Sequence, residues 1–260
     1  MSDSLVLYEV KSSTAIITLN RADKRNALSR GLIDALVGAF ARALNEAEVR
    51  CVILTAAGSV FCAGMDLAEL QESLDIPRDQ RPIWDDALRL ARLYDQIYAL
   101  PKPTIALVQG AAVAGGAGLV TVCDLAIATP EAKFGYPEVR RGLVAAMVMP
   151  HLMRHVGERL ARYLLLSGEI ISAEEAARAG MINEVVLGDR LLDRAFALAK
   201  ACAEGGPNAL AKTKEYLRQF SRQALSIEEA AKASAAPRLT EECQQGLRAF
   251  FAKQAAPWIK

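Results

Sequence analysis

Three features of the sequence pair residue types with a spacing that could do chemistry. Two are small-residue turns, Ala63-Gly64 within Ser59–Asp66 (SVFCAGMD) and Gly115-Gly116 within Lys102–Glu138 (KPTIALVQGAAVAGGAGLVTVCDLAIATPEAKFGYPE). The third is a lone acid, Glu138, at the end of the second stretch. Glycine tolerates positive φ and lets a ligand come close to the main chain. Each turn follows an apolar, β-branched run and precedes a predicted helix, where backbone N–H groups are left without partners. One N–H from each turn, converging, would make an oxyanion hole; losing one such donor typically costs about 2.7–4 kcal/mol of transition-state stabilisation. The same glycines also suit tight packing turns. Glu138 follows Tyr136-Pro137 and precedes the apolar Val139–Met149 segment, surroundings that raise a carboxyl pKa and let it exchange protons near neutrality. It also reads as a solvated acid paired with Arg140 or Arg141. Two amide-bearing turns and one acid would suit an enzyme that makes an anion next to a carbonyl.

Other reactive groups point elsewhere. The five cysteines (Cys51, Cys62, Cys123, Cys202, Cys243) are odd in number and form no CxxC. They read as reduced core thiols of a cytoplasmic chain. Cys62 lies in the first turn, but no histidine lies near it in sequence to lower its pKa. His151 and His155 stand four apart on a predicted helix, without the H-E-x-x-H pattern or an evident third ligand, so no metal is expected. There is no GxSxG, Walker A or Rossmann fingerprint.

The elements that must position these residues alternate in type. Leu5–Val10 and Thr14–Leu19 predict a hairpin, Asn20–Ala27 a polar loop, and Ser29 the cap of an amphipathic helix with Leu32, Ile33, Leu36, Phe40, Ala43 and Leu44 on one face. Val49–Thr55, Thr104–Val108 and Asp124–Ala128 predict buried strands. Leu67–Leu74 and Ile83–Leu100 predict helices around a charged Asp75–Pro82 loop. His151–Val156, Glu158–Leu166 and the capped Ser172–Ala179 follow, then an extended Ile182–Leu187. From Asp189 on, the pattern is helical: Leu191–Cys202, Asn208–Phe220, Ile227–Ala233 and Leu239–Phe251. This predicts an α/β core over residues 1–188, built of β-β-α units, and a helical region over 189–260.

At 260 residues and 52% hydrophobic residues, the chain can bury a large core. A net charge of +1 with both signs scattered argues against nucleic-acid binding. Arg21–Arg25 is a short basic cluster, usual for a solvated loop, which could also hold a phosphate. Pro103–Cys123 carries no charge, but Gln109 and four glycines interrupt it, so a membrane span is not expected. MSDSLVLYEV lacks the basic and apolar regions of a signal peptide.

Five stretches, in order, resemble the enoyl-CoA hydratase/isomerase (crotonase) family over nearly the whole chain. They are LNRADKRNALS, VILTAAGSVFCAGMDL, KPTIALVQGAAVAGGAGLVTVCDLAIATPEAKFGYPEV, LLLSGEIISAEEAARAGMINEVV and AFFAKQ. The resemblance implies a crotonase-like ββα spiral with a helical C-terminal trimerisation region, a homotrimer or a hexamer of paired trimers, and an acyl-CoA thioester substrate of fatty acid metabolism. It implies no cofactor beyond the coenzyme A of the substrate. The thioester oxygen would meet the N–H groups of Ala63 and Gly115, with Glu138 as acid and base. Lys24, Arg25 and Ala27 would meet the nucleotide end of coenzyme A. Gly64, Met65, Asp66, Leu67 and Tyr136 would line the rest of the substrate path. Phe250, Lys253 and Trp258 fall where a neighbouring subunit could reach the cofactor, while Ala255 stands where a lysine is common.

The chain also departs from the pattern. The first of the family's two hydratase glutamates falls on Gly118, and the Pro-Gly-Gly-rich turn after the second is Ala145-Ala146-Met147-Val148-Met149. One acid with an oxyanion hole suits double-bond isomerisation. Hydration by a single glutamate, decarboxylation and loss of catalysis with retained binding stay open as alternatives.

Overall fold

The computed structural model describes residues 4–72, 81–221 and 226–257. Strands β1 (Val6–Lys11) and β2 (Thr14–Leu19) form the antiparallel hairpin, turning at Ser12 and Ser13 with φ of 50° and 58°. Positive φ at both turn positions matches the twist of the flanking strands. Helix α1 (Arg30–Asn45) begins where the Ser29 hydroxyl accepts the Leu32 N–H.

The chain then repeats one motif: a long strand, a three-residue strand, and a helix. It runs β3 (Cys51–Ala56), β4 (Val60–Cys62), then α2 (Leu67–Glu72) and α3 (Arg81–Ala99). Next come β5 (Thr104–Val108), β6 (Ala111–Val113) and α4 (Gly115–Val122). The third pass is β7 (Leu125–Ala128), β8 (Lys133–Gly135), a 3-10 turn at Pro137–Arg141 and α5 (Met149–Ser167), which breaks at Gly157. The rest is β9 (Ile170–Ser172), α6 (Ala173–Arg178), β10 (Glu184–Val185), and helices α7 (Gly188–Ala203), α8 (Pro207–Phe220), α9 (Ile227–Ala235) and α10 (Glu241–Phe251).

The long strands make a sheet in the order β1-β2-β3-β5-β7-β10, parallel from β2 onward. Its strands are apolar on both faces because both faces are covered. Val52, Leu54, Ala106 and Val108 point into the main core, while Cys51, Ile53, Ile105 and Leu107 point to Leu191, Ala195 and Ala199 of α7. This is the two-residue alternation of a strand read against two layers. Fully burying a side chain such as Ile53 typically contributes about 1.5–3 kcal/mol.

The short strands make a second sheet, β4-β6-β8-β9, in which β4, β6 and β8 are parallel neighbours. Three residues are too few to show alternation, so none of these strands stands out in the sequence. Their C-terminal ends lie side by side, with Cys62 opposite Ala112 and Val113 opposite Gly135. The next residues of the three passes, 63–66, 114–115 and 136–138, therefore emerge at one edge. The spiral thus collects three distant stretches without needing any of them to be long.

Of the expected Asp75–Pro82 loop, residues 75–80 lie outside the described residues, and Arg81 and Pro82 open α3. The end of the expected Leu67–Leu74 helix also lies outside them, as does Trp258.

Candidate active site

A cavity of about 120 Å³ opens at the shared end of β4, β6 and β8. Ala63, Met65, Leu67, Gly115 and Glu138 border it, so the two turns and the acid do meet. Two features force the turns together. Gly64 has φ of +88°, and a Cβ there would lie 2.8 Å from the Ala114 Cβ. A Cβ on Gly116 would lie 2.3 Å from the Cys62 carbonyl oxygen. Real Cβ atoms do not approach so closely, so only glycine fits either place. Ala114, between β6 and α4, holds φ 52° and ψ −128°. A non-glycine residue in such a region stores about 1–3 kcal/mol, and such strain gathers at functional sites.

The backbone hydrogen bonds correct one expectation. The Ala63 N–H already donates to the Arg25 carbonyl at 3.1 Å, so it is not a free oxyanion donor. Leu28 and Met65 form a parallel bridge: the Leu28 N–H donates to Gly64 O at 2.8 Å, and the Asp66 N–H donates to Leu28 O at 3.1 Å. Peptide groups alternate along an extended chain, so the Met65 N–H faces away from Leu28. It has no hydrogen bond among the described residues. The Gly115 N–H, first in α4, has none either. Met65 and Gly115 thus carry the free amides, and the donor expected at Ala63 sits two residues later.

Glu138 sits on the 3-10 turn that Pro137 starts. Its Oε2 is sealed from solvent and has no hydrogen-bond partner. Burial, opposed in part by nearby Arg141, raises its pKa from 4.5 to about 7. A carboxyl with that pKa can both take and return a proton at neutral pH.

Gly118 lies within α4, behind the cavity wall. A Cβ there would lie 2.5 Å from both the Tyr94 hydroxyl oxygen and the Val148 Cγ1. The space into which a side chain at 118 would project is filled by Tyr94 from α3 and Val148 from the Ala145–Met149 turn. The Tyr94 hydroxyl donates to the Gly115 carbonyl at 2.7 Å, and burial raises its pKa well above 10.0. Tyr94 therefore stays a neutral phenol. The remaining wall includes Arg141, Ser234 and Arg238.

The other expected residues are placed less directly. Lys24 and Arg25 are exposed on the loop before α1, and Ala27 is half-buried behind them. That loop is fixed by fully buried Asn26, whose amide donates to Ala57 O and Val60 O while its oxygen accepts the Arg21 N–H. Asp66 is engaged by Arg21 at 2.6 Å and accepts the Ala68 N–H at 3.0 Å, which makes it a bracing group. Tyr136 is fully buried and lies outside the cavity lining. Phe250 stacks on Arg141 of its own chain, 4.4 Å from ring centroid to guanidinium carbon. The buried Cys62 thiol is pushed up to about 12, the wrong direction for a nucleophile. His151 packs edge-on to Tyr98 and takes a contact from Arg154 at 3.0 Å, while His155 bonds the Thr121 carbonyl at 3.0 Å. The four-residue histidine spacing thus serves packing.

Sequence reasoning did not single out the Met65 amide, Tyr94, Ser234 or Arg238. Tyr94 sits on the apolar face of an amphipathic helix, where its letter reads as core. Arg238 lies between Pro237 and Leu239, a context that carries no local signal.

Comparison with known proteins agrees with this geometry. The sequence profile described as "Enoyl-CoA hydratase/isomerase" matches residues 9–260. A Thermus thermophilus protein that carries an enoyl-CoA hydratase name is 39% identical, over 94% of this chain and 96% of that one. The 2,3-dehydroadipyl-CoA hydratase of Escherichia coli is 34% identical, over 92% of both chains. The crystal structure of an enoyl-CoA hydratase from Mycobacterium avium superposes with a TM-score of 0.84 at 30% identity, covering 98% of this chain and 99% of that one. No helix among the described residues is long and apolar enough to cross a membrane. The chain belongs to the enoyl-CoA hydratase/isomerase family and has its crotonase fold.

Proposed function

We propose that this enzyme shifts a carbon–carbon double bond in an enoyl-CoA thioester, with Glu138 as the one acid and base. The Met65 and Gly115 amides receive the thioester oxygen. Glu138 removes a proton from C2 of a 3-enoyl-CoA, and the charge spreads onto that oxygen. The double bond moves to C2–C3 as Glu138 returns the proton to C4. The exchange needs no redox partner and no cofactor beyond the coenzyme A of the substrate. Exposed Lys24 and Arg25 suit the phosphates of that group, and the Ala63–Leu67 turn suits its pantetheine arm.

The observation that carries this reading is the filled space beside Gly118. Adding water across a double bond requires the water to be held and stripped of a proton while a second proton is delivered. Tyr94 and Val148 occupy the place of a second carboxylate, and the Tyr94 hydrogen is already committed to Gly115 O. Hydration by Glu138 alone is the second reading, favoured by the hydratase names of the relatives. A panel of 3-enoyl- and 2-enoyl-CoA substrates in ¹⁸O-labelled water separates them. The proposal expects 2-enoyl-CoA from 3-enoyl-CoA with no label taken up. Labelled 3-hydroxyacyl-CoA as the main product would establish hydration instead. Silence on every acyl-CoA would leave only a binding protein.

Exposed Leu166, Leu187, Leu217 and Phe220, at 62–80% exposure, support assembly into a trimer or hexamer. Mass measurement in solution tests this.

A further inference from the structure

The cavity holds more positive charge than proton transfer requires. Arg238 reaches it from the 3-10 turn after α9, only 4% exposed, with Nη1 sealed from solvent and lacking a hydrogen-bond partner. Arg141 reaches it from the Glu138 turn; its Nε is likewise sealed and unpartnered, and its Nη1 makes only a 3.4 Å contact to Pro137 O. Among the described residues neither arginine has an ion pair. Asp86 is the carboxylate that acts on Arg238, but Arg30 already binds both its oxygens, each at 2.7 Å.

An unpaired buried charge such as that of Arg238 is costly; Arg141 is half-buried, and its guanidinium stacks on Phe250 without an anionic partner among the described residues. Glu138 can escape that cost by taking up a proton, since burial raises its pKa to about 7. An arginine has no such escape, because it stays protonated under all protein conditions. Burial pulls on both guanidinium groups, yet they remain cations. A pocket for an uncharged acyl chain would gain by replacing them with leucine or methionine. Their planar forks instead match an anion with two oxygens in one plane.

We propose that the acyl group this cavity accepts ends in a carboxylate, so that the substrate is the coenzyme A thioester of a dicarboxylic acid held at its far end by Arg141 and Arg238. This names the substrate class of the reaction proposed above and rests on that reading for the chemistry, though not for the binding. Glu138 and the amides then work on the thioester end, with the arginines fixing the other. Ser234, 5% exposed beside Arg238, supplies a hydroxyl to the same wall.

The test is binding of saturated thioesters, which cannot turn over: adipyl-CoA against hexanoyl-CoA, and glutaryl-CoA against pentanoyl-CoA, by calorimetry. Wild-type protein is expected to favour the carboxylated member of each pair about tenfold to a hundredfold, the worth of a hydrogen bond to a charged group. Arg238→Met should bring that ratio to about one, and Arg238→Lys should keep part of it. Should Arg238→Met not fold, Arg141→Gln and the wild-type ratio still decide. A wild-type ratio of one or below overturns the proposal. So does an equal loss of affinity for both members in the variants, which would assign the arginines to the phosphates of coenzyme A. If no enoyl-CoA turns over yet the ratio is high, the catalytic reading falls and this one stands. If only uncharged enoyl-CoA turns over and the ratio is one, the reverse holds.

Discussion

The two ends of the cavity are made of different material. The end that would receive the thioester is main chain: the Met65 and Gly115 amides, brought together because Gly64 and Gly116 leave room for nothing larger. The far wall is side chain: Tyr94 from α3, Arg141 from the 3-10 turn, Ser234 and Arg238 from the C-terminal region. Backbone amides are the same in every sequence, so that end can only be built by shaping the chain. The far wall can change one letter at a time without disturbing the turns. The first end fixes what kind of intermediate is stabilised; the second fixes which acyl group reaches it and whether water comes with it.

The largest break in this division comes from Glu138, the one side chain that serves the main-chain end. Glu138→Gln keeps the shape and removes the proton carrier. It should lower kcat on 3-enoyl-CoA by about 10²–10⁴-fold, with KM little changed and the circular dichroism spectrum unaltered. A tenfold loss or less would move the acid–base role elsewhere. Gly64→Ala comes next. Its methyl would meet Ala114 at 2.8 Å in a backbone conformation that alanine resists, displacing the adjacent Met65 amide. Loss of one oxyanion donor should lower kcat by about 10²–10³-fold. An active Gly64→Ala protein would show that the Met65 amide is not a donor.

A smaller, graded effect follows from pH. Burial holds Glu138 near a pKa of about 7, against 4.5 when unburied. A base must be ionised to act, so kcat/KM should fall about tenfold per unit below pH 7 and level off above it. Stability should run the other way. Between pH 4.5 and 7 the folded state binds a proton that the unfolded chain has released, so this group's contribution is full below 4.5 and fades as pH rises through 7. Wild-type protein should therefore lose, on the order of a few kcal/mol, what Glu138→Gln retains at pH 8. Thermal melts of both proteins at pH 5 and pH 8 check this; parallel shifts would place the carboxyl in solvent.

The same division decides what was legible in the letters. The glycine-rich turns announce themselves because glycine is the residue that positive φ and close approach demand. The long strands and the helices follow from run length and periodicity, and Ser29 and Ser172 cap helices as their letters suggest. The three-residue strands β4, β6 and β8 were not legible, since a pairing that short is set by its neighbours. Nor was the identity of the donor: Ala63 and Met65 both sit in the turn, and only the hydrogen bond from Ala63 to Arg25 tells them apart. The far wall was least legible. Arg141 and Arg238 lie nearly a hundred residues apart and meet only because the C-terminal region folds back over Leu70 and Leu143.

Tyr94 joins the two ends and gives the mildest test. Its ring belongs to the far wall, while its hydroxyl donates to the carbonyl of Gly115, whose amide is one of the two free donors. Tyr94→Phe keeps the ring and the seal beside Gly118 but leaves that carbonyl without this donor. A typical hydrogen bond of this kind contributes about 0.5–1.5 kcal/mol. The expected result is a loss in kcat of up to about tenfold with KM unchanged, because the bond steadies the turn and touches no part of the substrate. Product identity should also stay the same, since the phenyl ring still fills the space that a water would need. Should Tyr94→Phe instead begin to make 3-hydroxyacyl-CoA, the hydroxyl rather than the ring would be what keeps water out, and the boundary between the two ends would have to be redrawn through that one oxygen.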